Sequence, residues 1–302
     1  MVKYVAVASL LKLFSCSLQT KALYRLLGNL IGAKRRTDRG LPRSYIDRAL
    51  LLLDKVRKYD CIHPDDRLLE IGTGWVHWES IFLRLFFKVN VILFDVWDNR
   101  QLKALKRYFA EFAEVVDNEI DMTPIEYESV HNLLLAVVST RSFNELYRML
   151  GFDYVIEPNG TLWCFQDDSF NHIFSANVLE HINEDILPEY VQSFQRLLKP
   201  GGYSIHTIDL GDHLSYYDQN ASVKNYLRYS DTAWKRYFQN EVQYFNRVQR
   251  SEWLNLFRRA GLKLIEEDSV CSNIGAIPVD KKYQNLDSND LNCTELRVVH
   301  RK

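Results

Sequence analysis

The 302-residue sequence is poor in cysteine and offers no pairing among the five it holds. Cys16, Cys61, Cys164, Cys271 and Cys293 are scattered, odd in number and never closely spaced. That argues against a disulfide frame or a zinc knuckle and suits a reducing, cytoplasmic compartment. An uninterrupted apolar run of the roughly 20 residues that a membrane-spanning helix needs is also lacking. Val5 to Cys16 comes nearest, and Ser9, Lys12 and Ser15 break it. Lys3 ahead of that stretch imitates a secretory signal, but Lys12 interrupts the run and no small-residue cleavage site follows, so an export signal is not expected. Glutamate is missing from the first 60 residues, which hold 13 Lys and Arg against four Asp. No internal repeat or low-complexity segment occurs.

What is present suits a globular protein. Apolar residues make up 47% and charged residues 25% of the chain, too balanced for disorder. The length allows a full core, as one elaborated domain or a domain with a cap. The net charge is only −1, so the basic first 60 residues are offset by an acidic remainder. Such an arm suits phosphate groups, anionic lipid or the acidic body of its own chain. Leu10, Leu11, Phe14, Leu18, Leu23, Leu26, Leu27, Leu30 and Ile31 recur at helical spacing and predict amphipathic helices. These would cap the core, mediate oligomerisation or lie on a membrane surface. Lys34 to Gly40 reads as a loop, and Pro42 precedes a helix over Ser44 to Lys58 with Ser44 as its N-cap.

The stretch around which the rest is organised is Asp66-Arg67-Leu68-Leu69-Glu70-Ile71-Gly72-Thr73-Gly74-Trp75. Arg67 to Ile71 predicts a buried strand, bounded by the turn residues His63-Pro64-Asp65-Asp66 and by Gly72. Gly72 and Gly74 permit positive φ and a close backbone approach to a ligand. Helical apolar spacing follows from Trp75 to Phe87. A strand, glycine turn and helix in this order is how α/β proteins hold nucleotide-like ligands, although one such turn is weak evidence alone.

Four stretches in order over residues 66–209 together resemble the class I S-adenosylmethionine-dependent methyltransferase superfamily. Glu70, Gly72, Thr73 and Gly74 resemble its first motif, with Trp75 where many members carry a third glycine. Val89 to Asp95 is similar to the second strand, whose terminal acid grips the ribose hydroxyls, and Val96 follows it. Asn159, Gly160 and Thr161 resemble the adenine loop, with Asn159 in place of the common Asp and Asn171 departing likewise further on. His172 to Ile182 and Phe194 to Tyr203 resemble the fourth strand, its helix and the Leu-Lys-Pro-Gly-Gly entry to strand five, which brings Asn177 to the cofactor side. Ser251 to Leu262 resembles the helix before the last two strands. The resemblance implies S-adenosyl-L-methionine as co-substrate. It also implies a doubly wound α/β fold, with a seven-stranded, mostly parallel sheet whose last strand is reversed.

On that template, residues 1–60 form a basic helical cap and residues 61–302 the core, with helical insertions at about 118–150 and 210–250. Asn99 to Val116 is the second crossing helix, Pro124 to Val138 and Ser142 to Leu150 are extra helices, and Asp153 to Glu157 is the third strand. Tyr203 to Asp209 is the fifth strand, and Leu262 to Asp268 with Glu295 to His300 close the sheet. Trp234, Tyr237, Phe238, Tyr244 and Phe245 are candidates for the acceptor wall.

Transfer from a sulfonium is an in-line displacement that demands positioning of the acceptor. A hydroxyl acceptor gains roughly 10²–10⁴-fold from a general base, and histidine suits that role near neutrality. His181 after strand four and His213 after strand five are the candidates, with Asp209 and Asp212 near enough in sequence to orient one of them. Asn177 to His181 also resembles the Glu-x-x-Glu-His metal motif of some methyltransferases, but Asn177 replaces the first Glu and weakens the charge for a hard dication. No metal ligand is therefore assigned. The expected acceptor is a small-molecule, lipid or saccharide hydroxyl, with peripheral membrane contact through the N-terminal region. No Asn/Asp-Pro-Pro-Tyr tetrad marks DNA or protein methylation. The alternatives are an RNA acceptor tracked by the basic arm, or a cofactor-binding partner subunit without turnover.

Overall fold

The computed structural model describes residues 2–275 and 277–302. In chain order the elements are α1 (Val2–Phe14), α2 (Leu18–Arg39), α3 (Arg43–Tyr59), β1 (Arg67–Ile71), α4 (Trp78–Phe86), β2 (Asn90–Asp95) and α5 (Leu102–Glu119). Then come α6 (Pro124–Ser139), α7 (Phe143–Leu150), β3 (Phe152–Ile156), β4 (Phe170–Ala176), α8 (Leu187–Leu197) and β5 (Leu198–Asp209). α9 (Asp231–Tyr237), α10 (Arg250–Arg259), β6 (Lys263–Cys271), α11 (Ser288–Asn292) and β7 (Cys293–Arg301) complete the chain.

The seven strands form one sheet in the order β3-β2-β1-β4-β5-β7-β6. β1 runs parallel to β2 and β4, and β2 parallel to β3, while β6 and β7 are antiparallel. The expected Rossmann-like sheet with a reversed end is therefore present. Every residue of β1 and β2 after the first is buried, as expected of parallel strands covered on both faces. The strand order reverses direction between β1 and β4. In open α/β sheets the carboxyl ends of the strands at such a reversal hold the ligand.

Contacts divide the chain into two compact units. One comprises Met1–Gly28, Asn177–Gln195 and His206–Arg301; the other comprises Asn29–Ala176, Arg196–Ile205 and Lys302. In the second unit, the buried Trp78 stacks on Phe109 at 4.7 Å and meets Phe82 and Phe112, locking α4 to α5. Burial of each large apolar side chain contributes about 1.5–3 kcal/mol. Thr123 and Glu126 form a capping box at the start of α6, and Ser142 caps α7, which ends at Gly151 with φ +77°.

In the first unit, Tyr4, Ala8 and Leu11 of α1 enter a core with Leu214, Tyr226, Trp234, Phe238 and Phe245. Trp234 and Phe238 are thus committed to that core rather than lining an acceptor wall, while Phe245 belongs to the core and also reaches the His213 ring. Tyr237 stays exposed. The Tyr4 hydroxyl donates to Asp212 Oδ2 at 2.7 Å, and the Leu214 amide donates to Oδ1 at 2.9 Å.

Several boundaries differ from expectation. Lys34 to Arg39 is not a loop: α2 continues to Arg39 because nothing breaks it before Gly40, whose φ is +74°. α3 starts at Arg43 after Pro42, and Ser44 lies inside it rather than capping it. α4 begins at Trp78 because His77, at φ +47°, still belongs to the turn. β5 starts at Leu198: Gly202 continues the strand where an added Cβ would lie 2.7 Å from the Asn171 carbonyl oxygen, so only glycine passes.

Burial raises the Asp212 carboxyl to about 7, against the opposing pull of the Tyr4 hydrogen bond. A carboxyl held above its unfolded value of about 3.9 contributes stability at low pH that is lost as pH rises through the folded value. The unfolding midpoint should therefore fall between about pH 4 and 7, and Asp212→Asn should flatten that slope. Equal slopes for both proteins in thermal melts would refute this role.

Candidate active site

The turn after β1 is built by main-chain bonds to its neighbour strand. The Gly72 and Thr73 amides both donate to the Phe94 carbonyl, at 2.8 and 3.2 Å. Gly72 has φ +69° and Gly74 φ +63°, both in the left-handed region that a Cβ disfavours. A Cβ on Gly74 would meet nothing nearer than Gly72 O at 3.8 Å, so open space lies over the turn.

Asp95 ends β2 beside this space and is buried. Its Oδ2 accepts the Gly74 amide at 3.1 Å and its Oδ1 the Val96 amide at 2.7 Å. Each oxygen keeps further lone pairs for hydroxyl donors, which suits a ribose. Burial pushes the Asp95 carboxyl up, opposed by these amide bonds. The Gly160 turn, φ +70°, closes against Val96: an added Cβ there would lie 3.4 Å from Val96 Cγ1. The Glu157 amide donates to the Asp95 carbonyl at 3.0 Å, which ties this loop to β2. Asn159 and Thr161 are exposed in the same loop, Asn159 donating its amide to Glu157 Oε1 at 3.0 Å. Arg196 fixes the far side of the loop through the Leu162 and Phe165 carbonyls, both at 3.0 Å.

Glu70 and Thr73 are buried and bonded to one another. Glu70 Oε2 accepts the Thr73 hydroxyl at 3.0 Å and the Ser80 hydroxyl. Burial, reinforced by Glu79, raises its pKa. Thr73 Oγ1 also bonds His77 Nδ1 at 2.7 Å, and His77 Nε2 bonds the Tyr147 hydroxyl at 2.8 Å. Burial lowers His77 to about 3, so the ring is neutral and passes one donor along the chain. Helix α7 thus braces the glycine turn through Tyr147. Neither His77 nor Tyr147 carried a local signal, since the partners stand 70 residues apart. Trp75 is also explained: the Arg36 guanidinium stacks 3.4 Å above its ring, and Arg36 Nη1 donates to Gln101 Oε1 at 3.3 Å.

The histidines form a separate cluster, in the other unit. His213 Nε2 lies 3.2 Å from Asp209 Oδ2, which also accepts the Tyr216 hydroxyl at 2.6 Å. Burial pushes the Asp209 carboxyl up, but His213, Tyr216 and the Gly211 amide outweigh it and hold the carboxyl below its ordinary value. The His213 ring stacks on Phe245 at 4.7 Å and meets the half-exposed His181 at 5.0 Å. His181 Nδ1 faces the Tyr244 carbonyl at 2.7 Å, which fixes the proton there and leaves Nε2 with a free lone pair. Partial burial and the neighbouring His213 hold His181 below its ordinary pKa.

Asp212 does not orient either histidine; it turns to Tyr4. Asn177 takes φ +55° with its amide donating to Thr207 O at 2.9 Å, and its buried Oδ1 has no hydrogen-bond partner. Glu180 is buried with both carboxylate oxygens unpartnered, and burial together with Asp209 raises its pKa far above the ordinary value. Ligand atoms of Glu180, His181 and His213 lie within 4.8 Å of one another, a set able to hold a divalent cation. The motif reading had Glu180 and His181 but not His213, which comes 32 residues later.

A glycine turn and a strand-end carboxylate stand at the point where the strand order reverses, the place where open α/β sheets hold nucleotide-like ligands. Residues 35–267 match the family model described as a methyltransferase domain, and the chain belongs to that family of enzymes. S-adenosyl-L-methionine is the methyl donor of this class. No curated protein matches the sequence.

Solved structures align with the chain at low identity. A chain of the complex between the Haloferax volcanii Trm112 methyltransferase activator and a methyltransferase aligns over 85% of this chain and 94% of its own, at 14% identity and TM-score 0.43. The Haemonchus contortus phosphoethanolamine N-methyltransferase 2, in complex with S-adenosyl-L-methionine, aligns over 85% and 52%, at 15% and 0.47. A SAM-dependent methyltransferase of Methanosarcina mazei aligns over 81% and 96%, at 14% and 0.44. This chain therefore spans about half the length of the Haemonchus enzyme.

Proposed function

We propose that the protein moves the methyl group of S-adenosyl-L-methionine to a hydroxyl oxygen of a small molecule, lipid or saccharide in a reducing, cytoplasmic compartment. In this reading residues 61–302 are the methyltransferase core, with insertions at about 118–150 and 210–250, and residues 1–60 a basic helical addition. Asp95 holds the ribose, the Gly72–Gly74 turn admits the amino-acid end, and Val96 with Gly160 flanks the adenine. The His213–Asp209 pair is the single observation that carries O-methylation. Neutral imidazole takes the acceptor proton as the oxygen–methyl bond forms and the sulfonium–methyl bond breaks. An ionised Asp209 then stabilises the imidazolium.

A second reading rests on the unpartnered carboxylate of Glu180. A divalent cation held by Glu180, His181 and His213 would supply Lewis-acid polarisation of the acceptor oxygen. The Tyr244 carbonyl would then act as the outer partner that orients His181.

Release of S-adenosylhomocysteine, followed over sugars, phenols and prenyl or acyl lipids, tests both. Turnover that survives exhaustive EDTA dialysis supports the histidine base. Loss of turnover that magnesium, manganese or zinc restores supports the second reading. A tight S-adenosylmethionine complex without turnover on any acceptor would instead make the chain a partner subunit.

A further inference from the structure

α2 is amphipathic in the opposite sense to a soluble surface helix. None of its 22 residues is buried. Leu23, Leu26, Leu27, Leu30 and Ile31 fall at spacings of three, four, seven and eight, which places them on one face, and each is between 42% and 61% exposed. The other face is polar and makes the contacts with the protein. Lys21 pairs with Glu241, Gln243 Nε2 donates to the Tyr24 hydroxyl at 2.6 Å, and Asn29 meets Asn99 at 3.4 Å. α1 is apolar on both sides: Tyr4, Ala8 and Leu11 are buried in the core, while Val2, Val5, Leu10 and Leu13 are 47% to 86% exposed. Apolar side chains left outward on two successive helices need a partner.

The charges say which partner. Residues 1–39 hold eight Lys and Arg against one Asp and no Glu. Lys34 and Arg35 are exposed and directly follow the apolar stripe. The same turn of α2 borders a cleft of about 430 Å³ whose polar lining is Lys34, Thr37, Asp38, Gln101 and Lys103, at the start of the 18-residue helix α5. Among the described residues no single helix is long and apolar enough to cross a membrane; α1 and α2 reach that length and apolarity only as a pair, and they are bent by 118° at their junction. Such helices lie in an interface rather than span it.

We propose that α1 and α2 dock the protein on an anionic lipid bilayer, leucines in the acyl boundary and Lys34 and Arg35 at the headgroups. A second copy fits poorly, because a two-fold interface sets each patch against itself and would bring two strongly basic arms together. Nucleic acid would use the charge but not the outward leucines. The inference does not depend on the methyltransferase reading.

The full chain should co-sediment with vesicles of phosphatidylcholine mixed with phosphatidylglycerol. It should bind at least about tenfold more weakly to phosphatidylcholine alone, or to the mixed vesicles at high salt. Leu26→Glu with Leu30→Glu should weaken binding by about a hundredfold or more without moving the unfolding midpoint, since both side chains are exposed. Lys34→Glu with Arg35→Glu should remove most of the salt dependence. The proposal is overturned by unaltered vesicle binding of the leucine variant, by absence of binding to any vesicle, or by tighter binding to bulk tRNA at equal salt. A dimer in sedimentation velocity that the leucine variant abolishes would also overturn it.

Discussion

Asp95→Ala should weaken S-adenosylmethionine binding by about 10²–10⁴-fold. A hydrogen bond to a charged group is worth about 1.5–3 kcal/mol, and a ribose offers two hydroxyls, so their joint loss approaches 3–6 kcal/mol. The side chain also has a structural task, since it accepts the Gly74 and Val96 amides. The unfolding midpoint without ligand reports that part separately. Calorimetry with S-adenosylmethionine and S-adenosylhomocysteine reports the ligand part, and both should weaken together because the lost contact is with the shared sugar. Gly72→Ala adds an independent check: φ +69° costs an L-residue about 1–2 kcal/mol. Affinities unchanged in both variants would remove the nucleoside from this turn.

The fold was legible where the chain is locally consistent. β1 begins and ends where the apolar run and Gly72 say it should, because a buried parallel strand needs nothing else to declare itself. α6 and α7 were found to within a residue, since Pro124, Thr123 and Ser142 are local start signals. The misplaced boundaries share a cause: a distant partner overrides local propensity. α4 yields its first turn because His77 must reach both Thr73 and Tyr147, and β5 gains residues that read as a loop because the Gly201 amide pairs with the Lys302 carbonyl. The same limit applies to the site. Asp209 and His213 are four residues apart and could be paired by eye, whereas the stacking of Arg36 on Trp75 spans 39 positions without a pattern. Asp212 looked equivalent to Asp209 by spacing alone; the core around Tyr4 takes it away.

The second large effect is expected at His213. His213→Ala should lower turnover by about 10²–10⁴-fold, the usual contribution of a positioned general base, while leaving the S-adenosylmethionine affinity within about twofold. That division separates proton transfer from cofactor binding, because Asp95 should show the reverse pattern. Asp209→Asn should reproduce part of the loss. With the carboxylate gone, nothing stabilises the imidazolium, and the Tyr216 hydroxyl loses its charged acceptor. His181→Ala should cost less than His213→Ala if His213 alone is the base, since His181 is tied to the Tyr244 carbonyl and is only a neighbour. Equal losses at Glu180, His181 and His213, each accompanied by EDTA sensitivity, would shift the chemistry to a bound cation. Full turnover in both histidine variants would leave positioning alone to drive the transfer, as an acceptor that is already ionised requires no base.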